Sequence, residues 1–150
     1  MAARPRGGDW LQDDLSGWKR AGVDIVLSLL TPEEEKDLNL REEASEAKRL
    51  GMEFTSFPIP DLRVPRSEAK WGEVLEQFTR TLSDGKNVVV HCRQGIGRSG
   101  LVAACLLVRK GMSPGAAVES ASAARGVPVP ETPEQRDWID HYALGLSATK

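Results

Sequence analysis

Only two cysteines, Cys92 and Cys105, occur in 150 residues. That is too few for a disulfide framework, so the chain must stand on a hydrophobic core and a thiol is free to react. No apolar run approaches the roughly 20 residues needed to cross a bilayer. The opening "MAARPRGGDW" lacks the apolar segment of a signal peptide. The formal net charge is only -2, so bulk attraction to nucleic acid or to an anionic membrane is not expected. Internal repeats, low-complexity tracts and interdomain linkers are also missing. What is present is ordinary for a soluble globular chain: 40% hydrophobic and 28% charged residues. The reading is one domain over residues 1–150, long enough to bury a sizeable core. It is expected to be cytoplasmic, reduced and monomeric.

Hydrophobic periodicity places the elements. "DWLQDDLSGWKRAG" predicts a helix burying Leu11, Leu15 and Trp18 and ending at Gly22. "VDIVLSLL" reads as a strand. "TPEEE" is a helix start, with Thr31 as cap, Pro32 first in the helix and Glu34 placed for a capping box. "LREEASEAKRLG" is a charged helix closed by Gly51, and "MEFTSFPI" alternates as a second strand. Residues 66–82 form an amphipathic helix with Trp71, Val74, Leu75, Phe78 and Leu82 on one stripe. "VVV" is a short apolar strand, and "SGLVAACLLVRKG" a helix apolar nearly all round, hence central. "SPGAAVESASAARG" and "TPEQRDWIDHYALGL" are two further capped helices. Strands alternating with helices argue for an α/β three-layer sandwich around a mainly parallel sheet. Ligands of such sheets bind at the carboxyl ends of the strands.

That end is where "VVVHCRQGIGRSG", residues 88–100, leaves its strand. Glycines let successive backbone N–H groups turn inward, and the following helix adds partial positive charge. Arg98 offers a planar fork for two phosphate oxygens. No Lys-Ser/Thr pair ends the loop, so it is not a nucleotide-binding Walker loop. Cys92 faces inward N–H groups, a helix N-terminus and an arginine, surroundings that favour a thiolate. A thiolate beneath a bound phosphate is placed for in-line attack on phosphorus.

"HCRQGIGRS" matches His-Cys-x-x-Gly-x-x-Arg-Ser/Thr at every required position, and the chain thereby resembles the cysteine-dependent protein tyrosine phosphatases. "GVDIVLSLLTPEEE", "FPIPD" and "PETPEQRDW" are similar to segments of the small dual-specificity group, especially its kinase-associated-phosphatase-like bacterial members. The likeness covers nearly the whole chain. It departs at the N-terminus, where relatives carry extra strand before the "ARP" segment, so a shortened sheet edge is expected. The resemblance implies that Cys92 is the nucleophile and forms a phosphocysteine. It implies that Arg98 and the amides of Arg93, Gln94, Gly95, Ile96, Gly97 and Arg98 hold the phosphoryl oxygens. Ser99 would donate a hydrogen bond to the sulfur in the second step, and His91 would fix the loop backbone from behind. No metal and no cofactor is implied, because the loop supplies the positive charge. The general acid of the family is an upstream aspartate. "PIPDLRVP" supplies Asp61, on a loop stiffened by prolines, and the same carboxylate would later activate water. Gln135 resembles a glutamine that orients that water.

Plainer readings apply to other residues. Cys105 is core, amid Ala103, Ala104, Leu106 and Leu107. His141 is a surface or packing residue, the tryptophans are core or helix-face anchors, and Glu33–Asp37 is a solvated helix face. Asp84 is a rival acid, although "SDGK" is a good turn without chemistry. Rhodanese-like sulfurtransferases also carry a loop beginning Cys-Arg, but theirs is one residue shorter. The five residues between Cys92 and Arg98 suit phosphate. A catalytically inactive phosphate- or phosphopeptide-binding module is a further alternative. Arg93, Arg63 and Arg66 either attract an acidic substrate or are ordinary surface arginines. Aromatic residues are only 5%, and no loop with a clamping aromatic is evident. The expected partner is a phosphotyrosine protein, with phosphoserine/threonine proteins or a small phosphoester as further options.

Overall fold

A computed structural model describes residues 1–148. Four strands form one sheet: β1 (Ala2–Ala3), β2 (Ile25–Ser28), β3 (Glu53–Ser56) and β4 (Val88–Cys92). Their order is β1-β4-β2-β3, and every pairing is parallel. Seven α-helices accompany them: α1 (Leu11–Arg20), α2 (Pro32–Asp37), α3 (Glu43–Arg49), α4 (Glu68–Ser83), α5 (Gly97–Arg109), α6 (Pro114–Arg125) and α7 (Pro133–Ala148).

The central strand β2 is buried at all four residues. Alternation sends Ile25 and Leu27 to one face and Val26 to the other, so both faces must be covered. On one side Leu11 and Leu15 of α1 and Ala47 of α3 join Val26 and Leu30. On the other, Trp71, Leu75 and Phe78 of α4 pack with Leu101, Val102 and Cys105 of α5 and Ile139 of α7. This is the three-layer α/β sandwich expected, with a sheet that is wholly rather than mainly parallel.

The capping box at Thr31 and Glu34 forms as predicted. Ser67 and Ser113 cap α4 and α6 through their hydroxyls, and Gly126 closes α6 in the left-handed conformation. Several elements are shorter than the pattern suggested. The first helix begins with a 3-10 turn at Gly8–Trp10, and α3 starts only at Glu43. β2 and β3 shrink to four residues each, because their flanks leave the ladder, while β4 runs to five, beyond the "VVV" expected. β1 escaped the sequence reading, since a two-residue strand carries no periodicity; it pairs with His91 and Cys92 as the short edge of the sheet. Trp10 is no core anchor: it is exposed, with the Arg6 guanidinium 4.5 Å above its ring.

Candidate active site

Three parallel strands deliver their carboxyl ends to one side of the sheet. β2 leads through Leu29 and Leu30 into α2 and Glu34. β3 leads into the loop carrying Asp61, and β4 ends at Cys92. These residues, far apart in sequence, meet there for the topological reason that ligand sites of parallel sheets lie at that end. Asp84 caps the C-terminus of α4, before β4 begins and so at the opposite end of the sheet. It is no rival for the acid.

Cys92 is 3% exposed, and its Sγ accepts the Gly95 N–H at 3.3 Å. Gly95 has φ +74°, and a Cβ there would lie 2.4 Å from the carbonyl carbon of Ala2. The loop therefore turns tightly against β1 and admits only glycine. Arg125, in the last turn of α6, donates from Nε to the Gly95 carbonyl and from Nη2 to the Gln94 carbonyl, each at 2.9 Å. Carbonyls drawn outward leave the amides of the turn facing in, the geometry of an anion cradle. Ile96 is the N-cap of α5, whose first residues Gly97, Arg98, Ser99 and Gly100 are all buried. The positive end of that helix thus lies in the loop.

Arg98 is 1% exposed. Its Nη1 and Nη2 donate to the two oxygens of Glu34 at 2.6 and 2.8 Å, a two-pronged pair. Nη1 also donates to the Ile59 carbonyl at 2.8 Å, and Nη2 to Asp61 Oδ1 at 3.2 Å. Burial alone would push the Glu34 carboxyl up. The Arg98 bonds, with those from the Thr31 amide and hydroxyl, outweigh it and hold the carboxyl below its usual range. Glu34 is thus a buried partner of the candidate phosphate-binding arginine. The solvated helix face read from Glu33–Asp37 is corrected at Glu34, where the capping turn folds the side chain back onto α5, and at Glu35, which is partly buried.

A cleft of about 50 Å³ is lined by Asp61, Leu62, Cys92, Arg93, Gln94, Gly97, Arg98 and Glu131. Arg93 is half-exposed and lies 3.8 Å from Glu34. Arg63 is surface-exposed, with a loose 4.0 Å contact to Glu134, and Arg66 is exposed. Ser99 is fully buried, and its Oγ has no hydrogen-bond partner among the described residues. The bond to Cys92 Sγ that the resemblance implies is not made in this structure, where the sulfur takes the Gly95 amide instead. Gln135 is also fully buried. Its Oε1 accepts the Glu131 and Thr132 amides at 3.1 and 3.3 Å, and its Nε2 donates to the Arg63 carbonyl at 3.0 Å. These contacts tie the acid loop to the start of α7. They lend no support to a water-orienting role, because the side-chain oxygen is spent on backbone. His91 faces away from the cleft, on the side of α1 and α3, with Nε2 2.6 Å from Glu43 Oε2 and Nδ1 3.4 Å from the Cys92 carbonyl.

The comparisons agree with this geometry. The family described as "Polymorphic toxin system, DSP-PTPase phosphatase" matches residues 2–112. The chain belongs to this family of cysteine-dependent dual-specificity phosphatases. Rat cyclin-dependent kinase inhibitor 3 is 29% identical to the phosphatase chain over 140 residues, which are 92% of this chain and 66% of the relative. The chain thus spans about two thirds of the length of the curated relatives it matches. A putative tyrosine phosphatase of invertebrate iridescent virus 6 is 32% identical over 96 residues, 61% of this chain and 34% of that protein. Among solved structures, kinase-associated phosphatase with its catalytic-site cysteine replaced by serine superposes with TM-score 0.86 at 25% identity, covering 97% of this chain and 85% of that one. PTPMT1, at 21% identity and TM-score 0.79, shares the fold; the likeness covers 99% of this chain and 91% of that one. The sulfurtransferase alternative is not favoured.

Four polar residues around the phosphatase loop were missed from sequence: Glu34, Glu43, Arg125 and Glu131. One of them carried a signal. Glu43 falls on the apolar stripe of Leu40, Ala47 and Leu50, where a carboxylate needs a buried partner. The buried Glu34–Arg98 pair also has a measurable consequence. Glu34→Gln leaves a buried guanidinium short of its counter-charge and is expected to cost about 3–5 kcal/mol in urea unfolding at neutral pH. Because folding depresses the Glu34 carboxyl, its stabilising contribution is present above the ordinary glutamate range and is lost as pH falls through the depressed value. The difference between wild type and Glu34→Gln should therefore shrink in acid. A difference independent of pH argues against the ion pair as its source.

Proposed function

We propose that the chain is a protein tyrosine/dual-specificity phosphatase that hydrolyses phosphomonoesters through a phosphocysteine. The observation that carries this reading is the shared cleft: Cys92 at its floor, Arg98 in its wall and Asp61 on its rim. A dianionic phosphoryl group would sit on the amides from 93 to 98 and on the Nε–Nη2 edge of Arg98, replacing the Asp61 contact to Nη2, since the Nη1–Nη2 edge is held by Glu34. The Cys92 thiolate attacks phosphorus in line. The P–O bond to the leaving group breaks, and Asp61 gives that oxygen its proton. Water, deprotonated by the same carboxylate, then attacks the phosphocysteine, and the thiolate leaves. The Ser99 hydroxyl, unpartnered beside the loop, supplies the hydrogen bond that eases sulfur departure. His91 and Arg125 hold the loop backbone from outside.

The substrates proposed are phosphotyrosine proteins, with phosphoserine/threonine proteins and small phosphoesters as further candidates. PTPMT1 has been crystallised with PI(5)P, which keeps a small phosphoester in view. The site is assembled from one chain, in keeping with a monomer. Among the described residues no helix is long and apolar enough to cross a membrane. A free catalytic thiol suits the reducing cytoplasm. The reading is tested by incubating the protein with p-nitrophenyl phosphate and phosphotyrosine peptides, and separately with thiosulfate and cyanide. Inorganic phosphate release, inhibited by vanadate, is expected. Thiocyanate formation, or saturable phosphopeptide binding without turnover, contradicts it.

A further inference from the structure

Glu43 is the first residue of α3 and is 1% exposed. One carboxylate oxygen lies 2.6 Å from His91 Nε2, and the other has no hydrogen-bond partner among the described residues. His91 is 0% exposed, with the Trp18 ring covering it at a centroid distance of 5.9 Å. Its other nitrogen, Nδ1, is 3.4 Å from the Cys92 carbonyl, one residue along the chain.

A carbonyl oxygen can only accept, so the Nδ1 contact is attractive only when Nδ1 carries a proton. A separation of 2.6 Å between Nε2 and Oε2 also needs a proton between them, since two lone pairs repel at that distance. Two protons therefore satisfy both contacts. The pair is neutral as a unit, whether drawn as imidazolium and carboxylate or as imidazole and carboxylic acid. When one proton is withdrawn, the shorter contact keeps the other. Nδ1 then presents a lone pair to the Cys92 oxygen and the contact becomes repulsive. The peptide joining Cys92 to Arg93 is planar and trans, so its N–H points opposite to its C=O. Any swing of the Cys92 oxygen thus turns the Arg93 N–H, the first amide of the anion loop.

We propose that Glu43 is a positioning residue of this loop: through His91 it makes the hold on the Cys92 carbonyl, and with it anion binding, depend on a second proton. The inference rests on the phosphatase reading of the loop. The remaining groups facing the pair come from several elements. Ser28 of β2 and Ala2 of β1 are the register neighbours of His91 and do not ionise in this range. Glu35 of α2 is the other carboxylate beside it; burial pushes its carboxyl up, Glu43 adds to the rise and His91 opposes it. Behind the loop, burial holds the Met1 ammonium below its usual range, Arg125 adds to the fall, and Cys92 opposes it.

The test uses the full chain in a Cys92→Ser background, which removes the thiol from the loop. The probe is sulfate, whose charge is fixed across the neutral range. Sulfate affinity is followed by the amide shifts of Gly95 and Gly97, and the protonation of His91 by its ring nitrogen shifts. In the parent, affinity should fall with rising pH by up to about tenfold per pH unit, the limit for one linked proton. Nδ1 should lose its proton signature over the same interval. Glu43→Leu should abolish that component of the fall, because the single proton then stays on Nδ1 without a competitor. Glu43→Gln should do the same, since its amide N–H can donate to Nε2, and it covers the case in which the leucine variant folds poorly. Met1 is present in all three proteins; because Glu43 also acts on Glu35, each protein is compared with its Glu35→Gln counterpart, and a difference that persists belongs to the Glu43–His91 pair. Equal pH slopes in parent and variants, or an Nδ1 that stays protonated throughout, overturn the role of Glu43. Absence of sulfate binding at every pH overturns the anion-loop reading itself, a separate result.

Discussion

Cys92→Ser is expected to lower turnover of p-nitrophenyl phosphate by at least about 10⁴-fold, the scale on which removing a nucleophile acts. Phosphate or tungstate binding should survive within a few-fold. The substitution keeps the size of the side chain and can keep the contact with the Gly95 N–H, which the sulfur accepts at 3.3 Å. What it removes is a nucleophilic sulfur that leaves readily from phosphorus, as a serine oxygen does not. The cradle itself is untouched, because Arg125 holds the Gln94 and Gly95 carbonyls and Glu34 holds Arg98. Cys105→Ser provides the contrast. Cys105 is 0% exposed in the core of α5, and burial pushes its thiol up, so it contributes no nucleophile. That variant should retain turnover, subject only to a loss of stability. Steady-state phosphate release and calorimetric titration with tungstate measure both effects. Turnover persisting in a well-folded Cys92→Ser protein places the nucleophile elsewhere.

Asp61→Asn should cost about 10²–10⁴-fold in kcat/KM with phenyl phosphate or phosphotyrosine, the usual worth of general-acid assistance. The loss with p-nitrophenyl phosphate should be much smaller, because nitrophenolate leaves fairly well without a proton. The carboxylate is suitably placed: it is half-exposed on the rim, with Oδ1 3.2 Å from Arg98 Nη2. Glu131 lines the same cleft and is the structural rival, now that Asp84 lies at the other end of the sheet. The discriminating measurement is kcat/KM across a series of aryl phosphates, plotted against leaving-group pKa. Asp61→Asn should steepen the slope, and Glu131→Gln should leave it unchanged. The reverse pattern transfers the acid to Glu131.

Much of this site was legible from short stretches of sequence. The signature at residues 91–99 has its geometry written into adjacent positions: a cysteine at a strand end, glycine where the turn needs positive φ, and an arginine at a helix start. The Thr31–Glu34 capping box was readable for the same reason, since its bonds span three residues. The helix stripes and the β2 run that both faces cover are likewise local patterns with global consequences. Gln135 marks the limit. Its position near a helix start was visible, yet its hydrogen bond to Arg63 crosses 72 residues and shows a tether.

What the sequence by itself determined, then, is the layer architecture and the turn geometry of the loop, because periodicity, capping and turn chemistry act over a few residues. Only the tertiary structure decided which polar side chains serve that loop. Glu34 reaches Arg98 across 64 residues, Glu43 reaches His91 across 48, and Arg125 reaches Gly95 across 30. Glu34 and Arg125 look like ordinary helix charges in the linear chain, and Glu43 shows only that it needs a buried partner. Parallel strand order carries Glu34 to the active end of the sheet, and helix packing brings Glu43 beneath β4 and Arg125 onto the loop. A charge withdrawn from water in this way is stable only beside a partner, and no local rule names that partner.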